Sequence, residues 1–140
     1  MEHHEVVAAI IQRGDEFLCL QRGPSKYDHI SEKWGFPGGK VEISKTQEAA
    51  LRREIREELG MVIQVEGLLL TAEHTYPDFK ITMHDLRCTA ESPELTMHEH
   101  IAYVWLPTEQ LHTLDWAAAN LPIVAQLQVA THGLTLADAS

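Results

Sequence analysis

The chain has 140 residues and carries 21 acidic against 11 basic side chains, which gives a formal net charge of −10 at pH 7. That length suits one compact domain, and a hydrophobic fraction of 44% argues against an intrinsically disordered chain. The negative charge argues against a duplex-binding protein, because such proteins neutralise nucleic-acid phosphates with clustered Lys and Arg.

The cysteines and the apolar segments indicate the cellular setting. Cys19 and Cys88 form neither a CxxC pair nor a disulfide framework, so we expect two reduced, buried thiols. The longest apolar run, from Val6 to Ile11, is too short to cross a membrane, and the N-terminus shows no signal-peptide pattern. These features predict a cytoplasmic domain with no membrane partner.

Strands are predicted for the first part of the chain. The run from Val6 to Ile11 predicts a strand buried on both faces, and a turn at 13–15 leads into a second strand, Phe17 to Gln21. Residues 22–33 are polar and predict a loop. A short extended piece at 34–39 follows and ends in a glycine pair.

A helix is predicted from about Thr46 to Leu59. Its apolar positions repeat every four residues, at Leu51, Ile55 and Leu59. Gly60 follows as a C-terminal stop. Thr46 is the preferred N-cap, with Ser44 as the competing candidate.

Three more strands are predicted in the second half of the chain. The segments Val62 to Thr71 and Phe79 to Thr89 are expected to pair around a turn at 76–78. The segment from Ile101 to Leu106 predicts the last strand.

Two helices are predicted to close the chain, a short one at 107–111 and a longer one at 121–128 with Pro122 in its first turn. Residues 131–140 are expected to fray. Strands around one central helix, closed by a second helix, predict an α/β (α+β) domain with a mixed sheet. We expect this single domain to span residues 1–130.

Three glutamates share one flank of the predicted central helix. At about 100° per residue, Glu54, Glu57 and Glu58 fall beside the apolar stripe, and the neighbouring arginines fall on the other side. Glu54 and Glu58 form a like-charge i, i+4 pair that is unfavourable unless a cation neutralises it. Clustered carboxylates suit hard cations such as Mg²⁺ or Mn²⁺. The alternative is an ordinary surface helix in which Arg53 pairs with Glu57.

A glycine pair, Gly38-Gly39, precedes the acidic helix and allows the backbone to approach a ligand closely. A free carbonyl there is a further candidate ligand for the same cation. A glycine-rich turn that leads into an acidic helix is typical of a phosphate and metal site, although glycine pairs are also common in ordinary turns.

The segment from Gly39 to Met61 resembles a Nudix box. The family pattern is Gly, five residues, Glu, seven residues, then R-E-U-x-E-E-x-G-U, where U is aliphatic. The chain supplies the matching residues Gly39, Arg53, Glu54, Ile55, Glu57, Glu58, Gly60 and Met61. Lys45 stands where the family has its first Glu, which tends to pair with the box Arg. We therefore expect a looser box, with weaker metal affinity or lower turnover but intact chemistry.

The resemblance implies roles for the matching residues. It makes Glu54, Glu57, Glu58 and the Gly38 carbonyl metal ligands, and it makes Arg53 the residue that orients its neighbours. It also implies an α/β/α sandwich around the mixed sheet.

The resemblance extends over roughly residues 5–128 and is closest to the MutT-like group, which includes 8-oxo-dGTP diphosphatases and CTP pyrophosphohydrolases. Glu99 is similar to an additional Glu that in this group joins the metal site or serves as general base. The alternative is an ordinary exposed loop acid. The flanking His98 and His100 are placed to tune its proton affinity.

Base recognition is implied for a residue near the C-terminal helix. Asn120 lies where MutT-like enzymes place the residue that reads the base, and an amide offers a donor and an acceptor together. The alternative is that Asn120 caps the last helix. Phe36 is a candidate for stacking on the base or for a place in the core, and Arg22 is a candidate phosphate or base contact.

The resemblance implies a Mg²⁺-dependent enzyme that hydrolyses a nucleoside triphosphate to the monophosphate and pyrophosphate. Because of Asn120, an oxidised purine such as 8-oxo-dGTP is the first expectation, which implies nucleotide-pool sanitisation. Cytidine or 5-methylcytidine triphosphates come second, and ADP-ribose or dinucleotides third. A different functional class is also considered, namely a catalytically weak module that senses or binds nucleotides. The retained box glutamates argue against this alternative. The sequence leaves monomer and dimer open.

Overall fold

The computed structural model describes residues 1–42 and 46–129, where seven strands and two helices form the framework. The strands are β1 (Glu2–Arg13), β2 (Glu16–Arg22), β3 (Trp34–Gly35), β4 (Gly38–Lys40), β5 (Ile63–Thr75), β6 (Phe79–Ala90) and β7 (His100–Pro107). Helix α1 spans Gln47–Leu59, and residues 121–129 form helix α2. Two 3₁₀ segments, Thr108–Thr113 and Ala118–Asn120, lie between β7 and α2.

The sheet is mixed because β1 has a parallel neighbour on one side and an antiparallel neighbour on the other. β1 pairs in parallel with β6 from Glu2 to Ile11, and it pairs antiparallel with β4 from Val6 to Ala8. β5 lies antiparallel to β6. A hairpin joins β1 to β2, which pairs antiparallel with both β3 and β7. The mixed sheet and the β5–β6 pairing are therefore confirmed.

β1 is buried on both faces, as predicted, and each face enters a different core. Val7 and Ala9 lie in one core with three residues of α1, namely Leu51, Ile55 and Leu59. The alternate residues Ala8 and Ile10 lie in the other core with three residues of α2, namely Ile123, Val124 and Leu127. Helices therefore cover both sides of the sheet, and the predicted α/β/α sandwich is present.

The ends of α1 follow the sequence prediction. Thr46 is the N-cap, and its hydroxyl oxygen accepts a hydrogen bond from the Ala49 N–H at 3.1 Å. Gly60 ends the helix in the left-handed region, at φ 65°, and its N–H donates to the Arg56 carbonyl at 2.9 Å. The competing cap, Ser44, lies outside the described residues.

The first strand starts four residues earlier than the predicted start at Val6. β1 begins at Glu2, so His3 and His4 lie in a strand. The parallel ladder with β6 explains the extension, because it begins at Glu2 and a bond between His3 and the Thr82 hydroxyl at 2.7 Å strengthens it. Long-range pairing of this kind leaves no local pattern in a polar stretch.

The remaining findings concern the helices, strand β5, the cysteines and the expected tail. The predicted helix at 107–111 is a 3₁₀ segment, Thr108–Thr113, and β5 runs on to Thr75. Cys19 and Cys88 are buried free thiols, as predicted. The expected tail, 131–140, lies outside the described residues. Within the described ranges, every helix is too short or too polar to cross a bilayer.

Candidate active site

A pair of glutamates one turn apart on α1 forms the centre of the candidate site. Glu54 and Glu58 are partly buried, and the Glu54 side chain lies close enough to shift the pKa of Glu58. Burial raises the pKa of Glu58 to about 8, and the neighbouring Glu54 carboxyl adds to the rise. In the described part of the chain, Glu58 Oε2 is buried without a hydrogen-bond partner. The pair therefore holds oxygen atoms that a cation or a proton would stabilise.

The glycine pair makes room for this arrangement. A Cβ on Gly39 would lie 2.7 Å from the Glu54 Cδ and Oε1. The Glu54 carboxylate therefore occupies the space that a side chain at position 39 would need. A Cβ on Gly38 would collide with the Val7 carbonyl oxygen of the neighbouring strand β1. Gly39 is thus required by the site, and Gly38 by the close approach of β4 to β1.

The end of β2 and the start of β7 bring further polar groups to the pair. Arg22 lies in register with His100, next to a shift in the β2–β7 ladder. Glu99 is exposed and immediately precedes β7. Negative Glu99 raises the pKa of Glu58, and positive Arg22 lowers it. The structure therefore places Arg22 and Glu99 within electrostatic range of the carboxylate pair.

His100 belongs to the same neighbourhood. Burial lowers its pKa, Arg22 lowers it further, and Glu99 raises it. Arg22 and Glu99 also shift the pKa of Glu58. His100 thus lies close to the groups that surround the carboxylates, rather than being only a sequence neighbour of Glu99.

A cavity of about 410 Å³ lies beside this group. One set of lining residues adjoins the carboxylates and comprises Arg22, Gly38, Gly39 and His100. A second, largely apolar set comprises Phe36, Tyr76, Phe79, Met83, Ala119 and Asn120. This volume falls within the usual range for small-molecule sites, roughly 300–1,000 Å³.

Asn120 is 5% exposed and lines the cavity from the end of a 3₁₀ segment. Its Oδ1 accepts a bond from the Phe36 N–H at 3.4 Å, and its Nδ2 donates to the Ala117 carbonyl at 3.3 Å. The side chain thus ties the segment between β3 and β4 to the segment before α2, instead of capping α2. An amide has four hydrogen-bonding positions, so about two remain for a ligand.

Phe36 lies in the core and also lines the cavity. It is 8% exposed in the cavity-side core, with its ring centroid 4.8 Å from that of Trp116. It also lines the cavity. The core position is therefore certain, and stacking on a base stays a prediction.

Tyr76 is a cavity residue that the sequence analysis placed only in a hairpin turn. Its hydroxyl oxygen accepts a bond from the Ala119 N–H at 3.0 Å, next to Asn120. Its ring lies 5.1 Å from that of Phe79. The only signal in the sequence was an aromatic residue beside a turn, and contact with residue 119 depends on the fold.

Two further predicted members of the site, Arg53 and Glu57, are exposed on α1. The Arg53 guanidinium lies 3.6 Å from Glu42 rather than pairing with Glu57. Across residues 1–42 and 46–129, no three His, Cys, Asp or Glu side chains are arranged to hold a metal ion. Lys45, the departure from the box, lies outside the described residues.

Known proteins similar to this chain give its family. A model of the NUDIX domain matches residues 2–127. The CTP pyrophosphohydrolase of Escherichia coli K12 is 36% identical over 124 residues, which cover 89% of this chain and 90% of the relative. The 8-oxo-dGTP diphosphatase of the same organism is 29% identical over 128 residues, which cover 91% and 98%.

A solved structure agrees with the fold. The crystal structure of the MutT protein from Methanosarcina mazei Go1 superimposes with a TM-score of 0.82 at 21% identity, covering 93% of this chain and 96% of that one. The box residues, the carboxylate pair beside the cavity and these matches all indicate the same family. The chain therefore belongs to the Nudix family, as a MutT-like member of its pyrophosphohydrolases.

Proposed function

We propose that this protein hydrolyses an oxidised purine deoxynucleoside triphosphate, such as 8-oxo-dGTP, to the monophosphate and pyrophosphate. The observation that carries the proposal is the cavity lining, which includes both Asn120 and Gly39, the glycine against which Glu54 packs. A nucleotide bound there has its base beside the amide and its phosphates beside the carboxylates.

The carboxylates fit a divalent cation. Glu58 Oε2 is a buried oxygen without a partner in the described residues, and the neighbouring Glu54 carboxyl raises the pKa of the same side chain. We propose that Glu54 and Glu58 hold Mg²⁺ or Mn²⁺, with Glu57, Glu99 and the Gly38 carbonyl as further ligands. When bound, the cation neutralises phosphate charge and lowers the pKa of the attacking water.

In this proposal, residues of the chain supply the general base and the contacts to the phosphates. Water attacks the internal phosphorus, the bond from that phosphorus to the α–β bridging oxygen breaks, and the triphosphate separates into the monophosphate and pyrophosphate. The oxygen of the water stays on the attacked phosphorus, and the bridging oxygen stays on the other product. Glu99 is exposed beside the pair and is placed to accept the water proton. Arg22 lines the cavity and offers a planar set of donors to the phosphates.

Base recognition in this proposal rests on Asn120. Its two internal bonds, to Phe36 and Ala117, hold the amide in one orientation. A fixed amide presents its free donor and acceptor in a set geometry, which suits the O6 and N7 edge of a purine or of its oxidised form.

Cytidine triphosphate is the second candidate, and a specific observation favours it. The E. coli relative named for that activity is 36% identical over 89% of this chain. An amide also addresses the exocyclic amine and ring nitrogen of cytosine, so Asn120 does not exclude this base.

A turnover panel tests the proposal. Canonical, oxidised and methylated nucleoside triphosphates and ADP-ribose are compared in Mg²⁺, with products identified by mass. We expect 8-oxo-dGTP to have the highest kcat/KM, with pyrophosphate as the second product. A higher value for CTP would support the second candidate, and orthophosphate release would contradict attack at the internal phosphorus.

Three variants test the assigned roles within the same panel. Glu54→Gln should lower kcat at least 100-fold. Undiminished turnover would contradict the assignment of this protein as a metal-dependent hydrolase. Asn120→Ala should change the ranking of 8-oxo-dGTP, dGTP and CTP, and an unchanged ranking would exclude base reading by that amide. Lys45→Glu should raise turnover or Mn²⁺ affinity if the missing acid loosens the box.

A further inference from the structure

His100 forms part of the cavity wall, opposite Arg22 in the β2–β7 ladder. It begins β7, where alternate side chains point to opposite faces of the strand. Ile101 and Tyr103 are about half exposed, at 49% and 46%, so the even-numbered residues face inward. His100 accordingly lines the cavity, in register with Arg22 across the β2–β7 ladder.

The imidazole has hydrogen-bonding capacity that the protein does not use. Within the described residues, His29, Glu58, Asp85 and His100 each carry a buried side-chain polar atom without a partner. Only His100 among them also lines the cavity. The enclosed unpaired atom of His100 is Nδ1. Its Nε2 is not enclosed and makes no hydrogen bond within the described residues, so Nε2 is the nitrogen that can bind a ligand in the cavity.

The position of His100 defines which part of a ligand it meets. Arg22 and Glu99 act on both His100 and Glu58, so His100 lies at the carboxylate end of the cavity. Asn120 lines the same cavity from the segment before α2. A nucleotide that reaches from the amide to the carboxylates carries its sugar and first phosphate past His100.

We propose that His100 binds the sugar and first phosphate of the nucleotide through an imidazole hydrogen bond. This inference rests on the proposed function, because it requires a nucleotide in the cavity. It assigns His100 a substrate contact on the part of the molecule that is retained in the monophosphate product.

The experiment compares ligands that contain or lack that part. Equilibrium binding of 8-oxo-dGMP and CMP is measured for the wild type and for His100→Leu, together with inhibition of turnover by inorganic pyrophosphate. We expect about tenfold weaker monophosphate binding, the value of one hydrogen bond to a charged ligand, and unchanged pyrophosphate inhibition. Equal losses for both ligands, or no loss for either, would overturn the assignment.

Two further variants separate the contact from a structural effect. His98→Leu is the matched control, since His98 flanks Glu99 on the other side and is exposed, and it should bind both ligands like the wild type. His100→Gln keeps a polar atom near the position of Nε2 and should recover part of the monophosphate affinity. An equal loss in His98→Leu would contradict a specific role for His100.

The outcomes also separate this inference from the proposed function. A wild type that binds neither monophosphate and turns over no triphosphate refutes both. If His100→Leu binds the monophosphate product as tightly as the wild type does, only the assignment of His100 is refuted.

Discussion

Asp85 is a carboxyl group buried in the centre of the mixed sheet, and its replacement by Asn tests how burial controls stability. It is 1% exposed on β6, in register with Ala8 of β1 and Leu70 of β5. In the described part of the chain its Oδ1 has no hydrogen-bond partner. Burial raises the pKa of Asp85 from its ordinary value of 3.8 to about 7.

The direction and size of the effect follow from that pKa. Because the folded pKa of Asp85 lies above the unfolded value, its ionisation costs no stability below about pH 4. The cost grows as the pH rises and levels off above about pH 7. A pKa difference of about 3 corresponds to about 4 kcal/mol of unfolding free energy. Asn has nearly the same shape and stays neutral, so it avoids this cost.

Urea unfolding at several pH values, followed by tryptophan fluorescence, measures the effect. The unfolding free energy of Asp85→Asn minus that of the wild type should increase between pH 4 and pH 8 by about 4 kcal/mol. Asp15→Asn is the control, because Asp15 is exposed in the β1–β2 turn. A difference for Asp85→Asn that does not change with pH would refute the reasoning.

Three further predictions concern the site. Gly39→Ala should displace the Glu54 carboxylate, which lies 2.7 Å from the new Cβ, so kcat should fall tenfold or more. Its melting temperature should change little, because only a flexible side-chain end must move. Tyr76→Phe removes the acceptor for the Ala119 N–H and should cost about 1 kcal/mol of unfolding free energy and raise KM more than it lowers kcat. Cation binding requires ionised Glu58, whose pKa is about 8, so Mn²⁺ affinity should rise from pH 6 to pH 8 with proton release in calorimetry. Glu58→Gln should abolish that release.

The elements that the sequence predicts well are those with a strong local signal. α1 has an apolar repeat of four, a Thr46 cap and a Gly60 stop, and all three appear where they were expected. The i, i+4 spacing placed Glu54 and Glu58 together, and in the structure the Glu54 carboxyl is close enough to raise the pKa of Glu58. Helix geometry makes these contacts local, so a single segment of sequence contains them.

Contacts between distant segments were not predictable in the same way. The bond from the Phe36 N–H to Asn120 joins residues 84 positions apart, and the sequence could only leave capping and base reading as alternatives. Arg53 lies near Glu42 rather than Glu57, because Glu42 closely follows β4 and β4 packs against α1. Asp85 interrupts an alternating apolar pattern in β6, which was the one signal of its burial.

The sequence alone determined the family, the acidic helix and the glycine pair, because helix periodicity, capping and a fixed-spacing motif are properties of consecutive residues. Only the tertiary structure decided which of the candidate residues share a site. It placed Arg22, His100 and Asn120 around one cavity and left Glu57 exposed at the edge of the group. The physical reason is that strand pairing between β1, β6, β2 and β7 brings together residues whose proximity no local interaction encodes.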